Sequence, residues 1–600
     1  MKWIDTISLS NPTVHRRPCW KRENFDRFHS PKQCLVQALP MLRFLILPLI
    51  LLLQVEGSKK PNVVLIICDD LNDYVETLGG HPQAKTPHMR RLMERGVSFT
   101  QAHCNIPICN PSRASFITGL YPHTSQLYGF EKWRDNEITK NSRTLMDHFR
   151  KNGYHTLGTG KIMHNGERQE WAHYQNDADY SPLAHREGKN IAHPDIPAPF
   201  RDEFEAIDGS FGPLRKVKAP FSWKSGNWKR MKDYRYESED DRDLTADELN
   251  GKWAVENLRK LASTDKPFLM GVGFIRPHTP LIVPKKYFDL FPLESIELPV
   301  IKRGDVEDTF KQTVTSPEDD RSGDRGSKLY DTLIASYGGK RELALKKFIQ
   351  AYLASVASVD DLIGDILDTI EGSPLNDNTI VILTSDHGWG MGEKDYLYKN
   401  SLWQESTRVP LVIAGPNLAQ AKTCQKPVSL IDLYPTLIDL CGLSKETKKS
   451  AKGRPLDGYS LKPLLLNPTG KWSGPDAVLT AMYKWANYYD PAKQNYALRD
   501  QNWRYIRYEN GKEELYHVKN DPHEWHNLAL KPDHQETLKV YRKALLAKIP
   551  DSIPPPKPTK KDAEIWKDRY FKKHPSADAD QDGKLTWPEL QAHKKSQLKK

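Results

Sequence analysis

The sequence predicts an α/β fold in which helices cover both faces of a central mixed sheet. Continuous apolar runs occupy 62–68, 268–274 and 379–384, and none of them alternates between apolar and polar residues. Such runs are typical of central strands that are covered on both faces. Apolar residues recur at three- and four-residue spacing over 351–370, which predicts a helix between two of these strands. The alternation of strands and helices favours a layered α/β architecture.

The N-terminal region 1–57 is predicted to contain a signal peptide. Its apolar run 44–53 follows Arg43 and ends near Gly57. This run is shorter than the ~20 residues that a membrane span needs, and its charged start and small-residue end are typical of a signal peptide. Because the residues before Met41 fit no such pattern, Met41 is the expected true start. We therefore expect export to the periplasm or the extracellular space; an N-terminal core helix is the alternative.

The rest of the chain divides into four expected regions. The main domain, which carries the predicted α/β sheet, is expected at 58–474. Short alternating strands around the turn dipeptide Asn510-Gly511 predict an antiparallel α+β subdomain at 475–550. The proline-rich segment 551–560 is expected to be a stiff linker, and 561–600 forms a strongly charged tail.

The net charge of +11 does not indicate a nucleic-acid-binding protein. Residues 1–57 carry +4 and residues 551–600 carry another +4, which leaves only +3 for the long middle of the chain. Proteins that bind nucleic acid usually present a broad basic face. Any anion site in the middle must therefore be local, and no nucleic-acid partner is expected.

Five cysteines remain once the predicted signal region is set aside: Cys68, Cys104, Cys109, Cys424 and Cys441. Because five is odd, at least one of them is unpaired in a monomer. A buried thiol is the favoured interpretation of Cys104. A Cys424–Cys441 bridge is a possibility that the sequence leaves open.

The most informative motif is the segment 109–119, which reads CNPSRASFITG. It resembles the signature of the formylglycine-dependent sulfatases, and that resemblance implies an alkaline-phosphatase-like fold. It also implies that a formylglycine-generating enzyme oxidises Cys109 to 3-oxoalanine (formylglycine). In the family, one hydroxyl of the hydrated aldehyde attacks sulfur and the other expels sulfate, which is covalent catalysis in two steps. Arg113 would hold this group and the neighbouring anion with its planar fork.

Acidic residues at two strand ends predict a metal site. Asp69 and Asp70 follow the run 62–68, and Asp386 and His387 follow the run 379–384. Carboxylate oxygens are the ligands that calcium prefers, so the resemblance implies Ca²⁺ held by these side chains and the modified Cys109. Because histidine is a poor calcium ligand, His387 could instead contact the sulfate or the diol.

The resemblance assigns roles to four further side chains. Lys161 would bind sulfate, and His164 would take the diol proton that triggers sulfate release. His278 would bind sulfate or protonate the leaving oxygen. Lys399 would contact sulfate and the leaving group. A lone histidine or lysine is usually a surface residue without a function. The joint placement of these four residues after predicted strands favours a functional role.

The spacing of Lys161 and His164, together with the segment 277–280 (PHTP), resembles the iduronate-2-sulfatase branch. This resemblance implies a sulfated sugar as substrate, in particular a 2-O-sulfated uronic acid. A phosphonate monoester or phosphodiester hydrolase of the same superfamily and a non-catalytic glycan-binding protein are the alternatives. The polar, poorly patterned region 165–245 is expected to form long loops near the site, where substrate choice often resides.

The tail carries an independent motif at 578–589, which fits an EF-hand calcium loop at every ligand position. The ligand positions are Asp578, Asp580, Asp582, Lys584, Thr586 and Glu589. The segment Ile565–Lys573 is the expected entering helix. We therefore expect a second Ca²⁺ in the tail and a docking partner that binds through it in a calcium-dependent way; a chance acidic turn is the alternative.

Overall fold

The computed structural model describes residues 59–597 except for seven short segments. These segments are 165–166, 227–230, 311–323, 485–488, 553–566, 568–569 and 572–573. The predicted signal peptide lies outside the described residues, as do most of the linker 551–560 and most of the expected entering helix Ile565–Lys573. Within the described part of the chain, no helix combines the length and the apolarity that a bilayer span requires.

The strands and helices are numbered along the described chain. The strands are β1 (Asn62–Cys68), β2 (Gly96–Phe99), β3 (Ala102–His103), β4 (His155–Gly160), β5 (His173–Tyr174), β6 (Leu183–Arg186), β7 (Lys189–Ile191), β8 (Phe211–Leu214), β9 (Phe221–Ser225), β10 (Lys232–Tyr234), β11 (Phe268–Gly273), β12 (Leu281–Pro284), β13 (Thr379–Ser385), β14 (Arg408–Val409), β15 (Leu411–Ala414), β16 (Lys422–Cys424), β17 (Val428–Ser429), β18 (Val478–Met482), β19 (Asn495–Arg499), β20 (Arg504–Arg507) and β21 (Glu513–Tyr516). The helices are α1 (Pro87–Arg95), α2 (Cys109–Thr118), α3 (Pro122–Ser125), α4 (Glu137–Asn141), α5 (Leu145–Lys151), α6 (Phe200–Phe204), α7 (Ala246–Leu261), α8 (Lys285–Asp289), α9 (Arg325–Ser336), α10 (Arg341–Glu371), α11 (Gln404–Thr407), α12 (Leu433–Cys441), α13 (Lys462–Leu466), α14 (Gln535–Leu546) and α15 (Trp587–Gln597).

The central sheet has eight strands in the order β16-β2-β15-β13-β1-β11-β4-β5. The three strands predicted from continuous apolar runs are neighbours at its centre, because β1 pairs in parallel with both β11 and β13. The sheet is mixed, since β15 runs antiparallel to β13 and to β2. The predicted α/β class with a mixed central sheet is therefore confirmed.

Helices cover both faces of this sheet, which explains the absence of alternation in its central strands. Val64 and Ile66 of β1 pack into a core with α1, α7 and α10. The intervening Val63 and Leu65 pack on the opposite side with α2, α5 and α12. A strand buried on both faces needs apolar residues at every position. The helix predicted over 351–370 is the C-terminal part of α10.

A separate antiparallel sheet, β18-β19-β20-β21, lies within the predicted subdomain 475–550. Gly511, with φ of +82°, lies in the predicted turn between its last two strands. The sheet supports the segment that leads to Cys109: Thr480 Oγ1 donates to the Cys104 carbonyl at 2.7 Å, and Ala481 N–H donates to the Asn105 carbonyl at 2.8 Å. The subdomain therefore braces the catalytic segment directly.

The prediction of long loops over 165–245 is wrong in part. Strands β6, β7, β9 and β10 form a four-stranded antiparallel sheet in this region. Each of these strands has only three to five residues, and most of their side chains are at least partly exposed. Ala184, Trp223 and Tyr234 of this sheet belong to a small buried apolar cluster. Strands this short leave no periodic signal in the sequence.

All five cysteines of the described chain are buried and free. The buried thiol expected at Cys104 is confirmed. The bridge considered between Cys424 and Cys441 is absent.

Candidate active site

The reaction centre lies at the carboxyl ends of β1 and β13. Asp69 and Asp70 follow β1, and Asp386 and His387 follow β13. Since these strands are parallel neighbours with Cys68 opposite Ser385, their ends meet at the same edge of the sheet. The backbone N–H of Asp70 donates to Asp386 Oδ1 at 3.2 Å, which joins the two strand ends. All four residues are fully buried.

Cys109 is the first residue of α2, and its side chain points into this cluster. The Sγ atom lies 3.3 Å from His387 Nε2 and 3.2 Å from Lys399 Nζ. The positive end of a helix favours negative charge at this position. Gly119 ends the helix with φ of +70°, a left-handed conformation that explains why the motif closes on glycine.

Arg113 lies one helical turn after Cys109 on the same face of α2. Its guanidinium is fully buried, with Nε 2.8 Å from Asp386 Oδ2 and Nη2 3.2 Å from Asp69 Oδ1. Its Nη1 donates to the carbonyls of Lys161 and Ile162. One arginine thus links both strand ends to the segment after β4.

Two buried lysines complete the positive charge of the centre. Lys161, which follows β4, pairs through Nζ with Asp69 Oδ2. Lys399, in the loop after β13, places Nζ 2.9 Å from Asp70 Oδ1. The ring of Trp389 lies with its centroid 5.6 Å from the same Nζ. Three cations therefore converge on one enclosed spot, which suits a compact oxyanion.

The two predicted histidines differ in their contacts. His278 Nε2 lies 3.7 Å from Asp70 Oδ2, while its Nδ1 meets the Thr279 carbonyl. His164 is half buried, and its ring centroid is 5.3 Å from that of Phe130. Burial and the charge of Lys161 together lower the pKa of His164 to about 3. Burial also lowers the pKa of His278 well below its usual range, with the charge of Lys399 acting in the same direction.

The two adjacent aspartates differ in how well their charge is compensated. Burial alone would raise the pKa of Asp69, but Lys161 and Arg113 hold it well below its usual range. The pKa of Asp70 is raised well above its usual range by burial, and Lys399 and His387 do not offset that cost. Asp70 is thus the carboxylate that would gain most from an added cation.

The chain matches the family model described as Sulfatase over residues 61–443. This span is more than half of the 600 residues. The chain belongs to the sulfatase family. A second model, described as N-sulphoglucosamine sulphohydrolase, C-terminal, matches residues 392–550. The protein is therefore a sulfuric ester hydrolase of the sulfatase family, as the segment 109–119 predicted.

Relatives of this sulfatase carry several specificities in their names. A protein named Sulfatase from Formosa agariphila is 36% identical over 78% of this chain and 83% of its own length. Iduronate 2-sulfatase of Mus musculus is 30% identical over 64% of this chain and 69% of its own length. Choline-sulfatase of Rhizobium meliloti is 26% identical over 80% of this chain and 86% of its own length. Iduronate-2-sulfatase is thus one of several related activities.

Solved structures agree on the fold. The structure of a complex with D-glucosamine-2-N,6-O-disulfate as substrate matches with a TM-score of 0.57 and 21% identity, over 82% of this chain and 97% of that chain. The phosphonate monoester hydrolase of Agrobacterium radiobacter matches with a TM-score of 0.58 and 21% identity, over 81% of this chain and 95% of that chain. These matches confirm the predicted architecture.

Sulfatases generally use a formylglycine and a divalent metal ion, and the residues of this site fit both. Ligand atoms of Asp69, Asp70, Cys109 and His387 lie within 4.8 Å of one another. Asp69 Oδ1 is buried and, apart from its ion pair with Arg113, accepts no hydrogen bond. Carboxylate oxygens suit a hard cation, and the Cys109 Sγ marks where an oxygen of the modified residue would stand. Asp386, also predicted as a ligand, lies beside this group with its oxygens bound to Arg113 and to backbone N–H groups.

The unmodified Cys109 thiol is poorly suited to act as a nucleophile itself. Burial and the charge of Asp69 raise its pKa, although Lys161 and Lys399 oppose the shift. A catalytic cysteine needs a depressed pKa to be a thiolate at neutral pH. Cys109 therefore fits the precursor of a nucleophile better than a thiolate nucleophile.

Sequence reasoning missed Tyr180 as a member of the site. Its ring centroid lies 5.1 Å from Lys161 Nζ and 5.1 Å from that of His278. It belongs to the region 165–245, where no motif singles it out. A tyrosine shortly after the Lys161 segment carries no spacing signal, and only the path of the chain brings it to the site.

The tail loop, 578–589, gathers part of its predicted ligand set. Carboxylate oxygens of Asp578, Asp580 and Glu589 lie within 4.8 Å of one another. Asp578 is 8% exposed, and its Oδ1 has no hydrogen-bond partner. Of the other predicted ligands, Asp582 lies outside this close group, and Lys584 and Thr586 belong to the same loop. The Asp582 carboxylate accepts from the Lys584 N–H at 2.7 Å, and Thr586 Oγ1 donates to Glu589 at 2.6 Å.

Proposed function

We propose that this sulfatase removes sulfate from a sulfated sugar, specifically a 2-O-sulfated uronic acid, through a formylglycine made from Cys109. The observation that carries the proposal is the cluster of Arg113, Lys161 and Lys399, which pair with the buried carboxylates of Asp69 and Asp70 beside the Cys109 side chain. Cations arranged in this way neutralise a sulfate group whose charge grows at the leaving oxygen.

The side chains divide the work of the reaction. Lys161, Lys399 and His278 bind and orient the sulfate group. Arg113 fixes the helix turn that carries residue 109 against both strand ends. His164, three residues after Lys161, accepts the proton released as sulfate departs. Calcium held by Asp69 and Asp70 with the neighbouring Asp386 and His387 would supply positive charge that favours hydroxyl deprotonation.

The proposed modification is tested by the mass of the Cys109 peptide from protein made with a formylglycine-generating enzyme and oxygen. Oxidation of the side chain from CH₂SH to CHO, with loss of the sulfur, lowers the mass by about 18 Da. We expect this shift together with activity on aryl sulfates. A protein that hydrolyses sulfate esters while Cys109 stays a thiol would contradict the proposed nucleophile.

The substrate proposal is supported by iduronate 2-sulfatases of Mus musculus and Homo sapiens among the relatives. It is tested on matched disaccharides sulfated at the uronic acid 2-position or at the hexosamine 6-position. We expect a kcat/KM at least about 100-fold higher for the first, because misplacing a scissile bond by about 1 Å has an effect of that size. Equal rates, or a preference for the 6-sulfate, would exclude the proposed sugar specificity.

A phosphonate monoester hydrolase is the competing activity, since two such enzymes share the fold. Nitrophenyl sulfate and nitrophenyl phenylphosphonate share a leaving group and separate the two activities. We expect a higher kcat/KM for the sulfate. The opposite order would favour the alternative.

We propose that the chain is exported from Met41 and cleaved near Gly57. The support is the apolar run 44–53 behind Arg43. Expression of the gene in a secreting host, followed by N-terminal sequencing of the external protein, tests this. A mature chain that retains residues 41–57 would exclude a cleaved signal peptide.

We further propose that the tail loop binds a second Ca²⁺ and offers a calcium-dependent docking site. The specific support is the buried Asp578 Oδ1, which has no partner and lies beside Asp580 and Glu589. An unpaired buried carboxylate oxygen is costly unless a cation completes it. Gly583, with φ of +81°, allows the sharp turn that such a loop needs.

Terbium is a direct probe of this loop, because Trp587 lies within it and can sensitise a bound lanthanide. We expect luminescence excited through tryptophan, displaced by calcium and lost in Glu589→Gln. The matched control is Glu536→Gln, a carboxylate on the exposed face of α14. Terbium emission that survives Glu589→Gln would contradict the tail site.

A further inference from the structure

Asp247 holds the turn that carries His278. It lies in the first turn of α7 and is 5% exposed. Its Oδ1 accepts a hydrogen bond from the backbone N–H of Ile275 at 2.8 Å, and its Oδ2 accepts from the N–H of Arg276 at 2.9 Å. Both carboxylate oxygens therefore fix consecutive amides just beyond the end of β11.

These two hydrogen bonds from Ile275 and Arg276 to Asp247, here called the clamp, act on His278 through the backbone. The N–H of His278 donates to the Ile275 carbonyl at 2.8 Å, so the two clamped amides and the histidine belong to one turn. The Thr279 carbonyl can only accept a hydrogen bond, so it fixes the proton on Nδ1 of the His278 ring. Nε2 is then the nitrogen that faces the reaction centre, 3.7 Å from Asp70 Oδ2.

A carboxylate is the side chain that this position requires. Each oxygen meets one N–H donor, and the amino end of α7 adds favourable charge. The Arg276 guanidinium is also buried and folds back on the Ile282 carbonyl at 3.2 Å, which closes the turn from its other side. Asparagine at 247 would keep one acceptor and aim an NH₂ group at the second N–H.

We propose that Asp247 is a positioning residue for sulfate-ester hydrolysis, which sets where the Nε2 atom of His278 lies in the reaction centre. This inference rests on the proposed function. Displacement of a catalytic group by about 1 Å can reduce a rate by about 100-fold. Loss of one clamp bond is therefore expected to lower kcat by roughly 10- to 100-fold, with a much smaller change in KM.

The test compares Asp247→Asn with Glu248→Gln on nitrophenyl sulfate, using the full chain with a converted Cys109. Glu248 is the matched control because it is the next carboxylate in the same helical turn, yet it bonds to Thr245 and Arg242 instead of the His278 turn. We expect similar losses of melting temperature in both variants. Only Asp247→Asn should lower kcat, while Glu248→Gln should stay within about 3-fold of wild type.

A double-mutant cycle separates positioning from general damage. In a His278→Ala background, Asp247→Asn should change kcat/KM by less than about 2-fold, because coupled residues are not additive. A loss as large as in the wild-type background would overturn the proposal. If Asp247→Asn is not recovered folded, Asp247→Ser provides the same comparison, since serine keeps one acceptor.

The His278 ring resonances in NMR spectra, assigned against His278→Ala, give a readout that needs no activity. We expect them to shift in Asp247→Asn and to stay in place in Glu248→Gln. Unchanged resonances would contradict the clamp even in an active enzyme. The wild-type protein could be inactive on every sulfate ester while Asp247→Asn still shifts the His278 resonances. That result would contradict the proposed function and leave the role of Asp247 in holding the His278 turn standing.

Discussion

The reaction centre and the tail loop both gather carboxylates, yet they compensate the negative charge in opposite ways. Asp69 and Asp70 are fully buried and lie against protein cations. In the tail, the partly exposed Asp580 and Glu589 bond to backbone N–H and hydroxyl groups, and among the described residues no lysine or arginine pairs with them. The reaction centre should therefore stay folded without metal, whereas the tail loop depends on an added cation.

The largest expected effect is loss of the Cys109 side chain. Cys109→Ala should lower sulfatase activity by more than about 10³-fold, because it removes the precursor of the nucleophile. Cys104→Ala is the control, since Cys104 is also a buried free thiol and lies five residues earlier. Activity on nitrophenyl sulfate and terbium binding at the tail are the measurements. Residual activity in Cys109→Ala equal to that of Cys104→Ala would break the assignment of the reaction centre.

Removal of Arg113 tests whether protein cations stabilise the reaction centre. Arg113→Met leaves two buried carboxylates without their partner, so we expect a loss of about 3–5 kcal/mol in the free energy of unfolding. Arg235→Met removes an exposed pair with Asp241 and should cost less than about 1 kcal/mol. Urea denaturation measures both. Similar losses of unfolding free energy in the two variants would show that burial does not make the Arg113 ion pairs more stabilising than an exposed pair.

The catalytic part should also lose stability in acid. Burial, together with Arg504, holds the pKa of His103 well below its usual range, so the folded state keeps this ring neutral. The unfolded chain binds a proton near pH 6.5, so stability is full above that pH and falls as the pH drops. At pH 5 the loss is about 2 kcal/mol for such a group.

His103→Gln isolates this contribution. We expect its loss of unfolding free energy between pH 7 and pH 5 to be about 2 kcal/mol smaller than in the wild type. Urea denaturation at the two pH values provides the comparison. An equal pH dependence in both proteins would place the acid sensitivity elsewhere.

The smallest expected effect concerns activity after loss of the tail site. Glu589→Gln should change kcat/KM on nitrophenyl sulfate by less than about 2-fold, because the reaction centre supplies its own ligands and cations. Steady-state kinetics with excess calcium is the measurement. A loss of more than about 10-fold would show that the two sites are coupled.

Much of the reaction centre could be predicted because its strand ends and its motif each consist of residues that are neighbours in the sequence. Asp69, Cys109 and Arg113 each follow from local patterns, and the structure brings them together. Tyr180 and Asp247 could not be predicted in this way, since their partners are distant in the sequence. The short strands β6, β7, β9 and β10 were missed for a related reason: strands of three to five residues are too short to show a period.

The sequence by itself determined the sulfatase motif, the buried central strands and the tail loop, because each depends on neighbouring residues. Only the tertiary structure decided which carboxylate meets which cation. Asp386 pairs with Arg113, while Asp70 remains the less compensated carboxylate. This outcome depends on the parallel register of β1 and β13 and on the loops that bring Lys161 and Lys399 to one place. Pairing energies at such a site depend on distance and burial, which local sequence patterns do not encode.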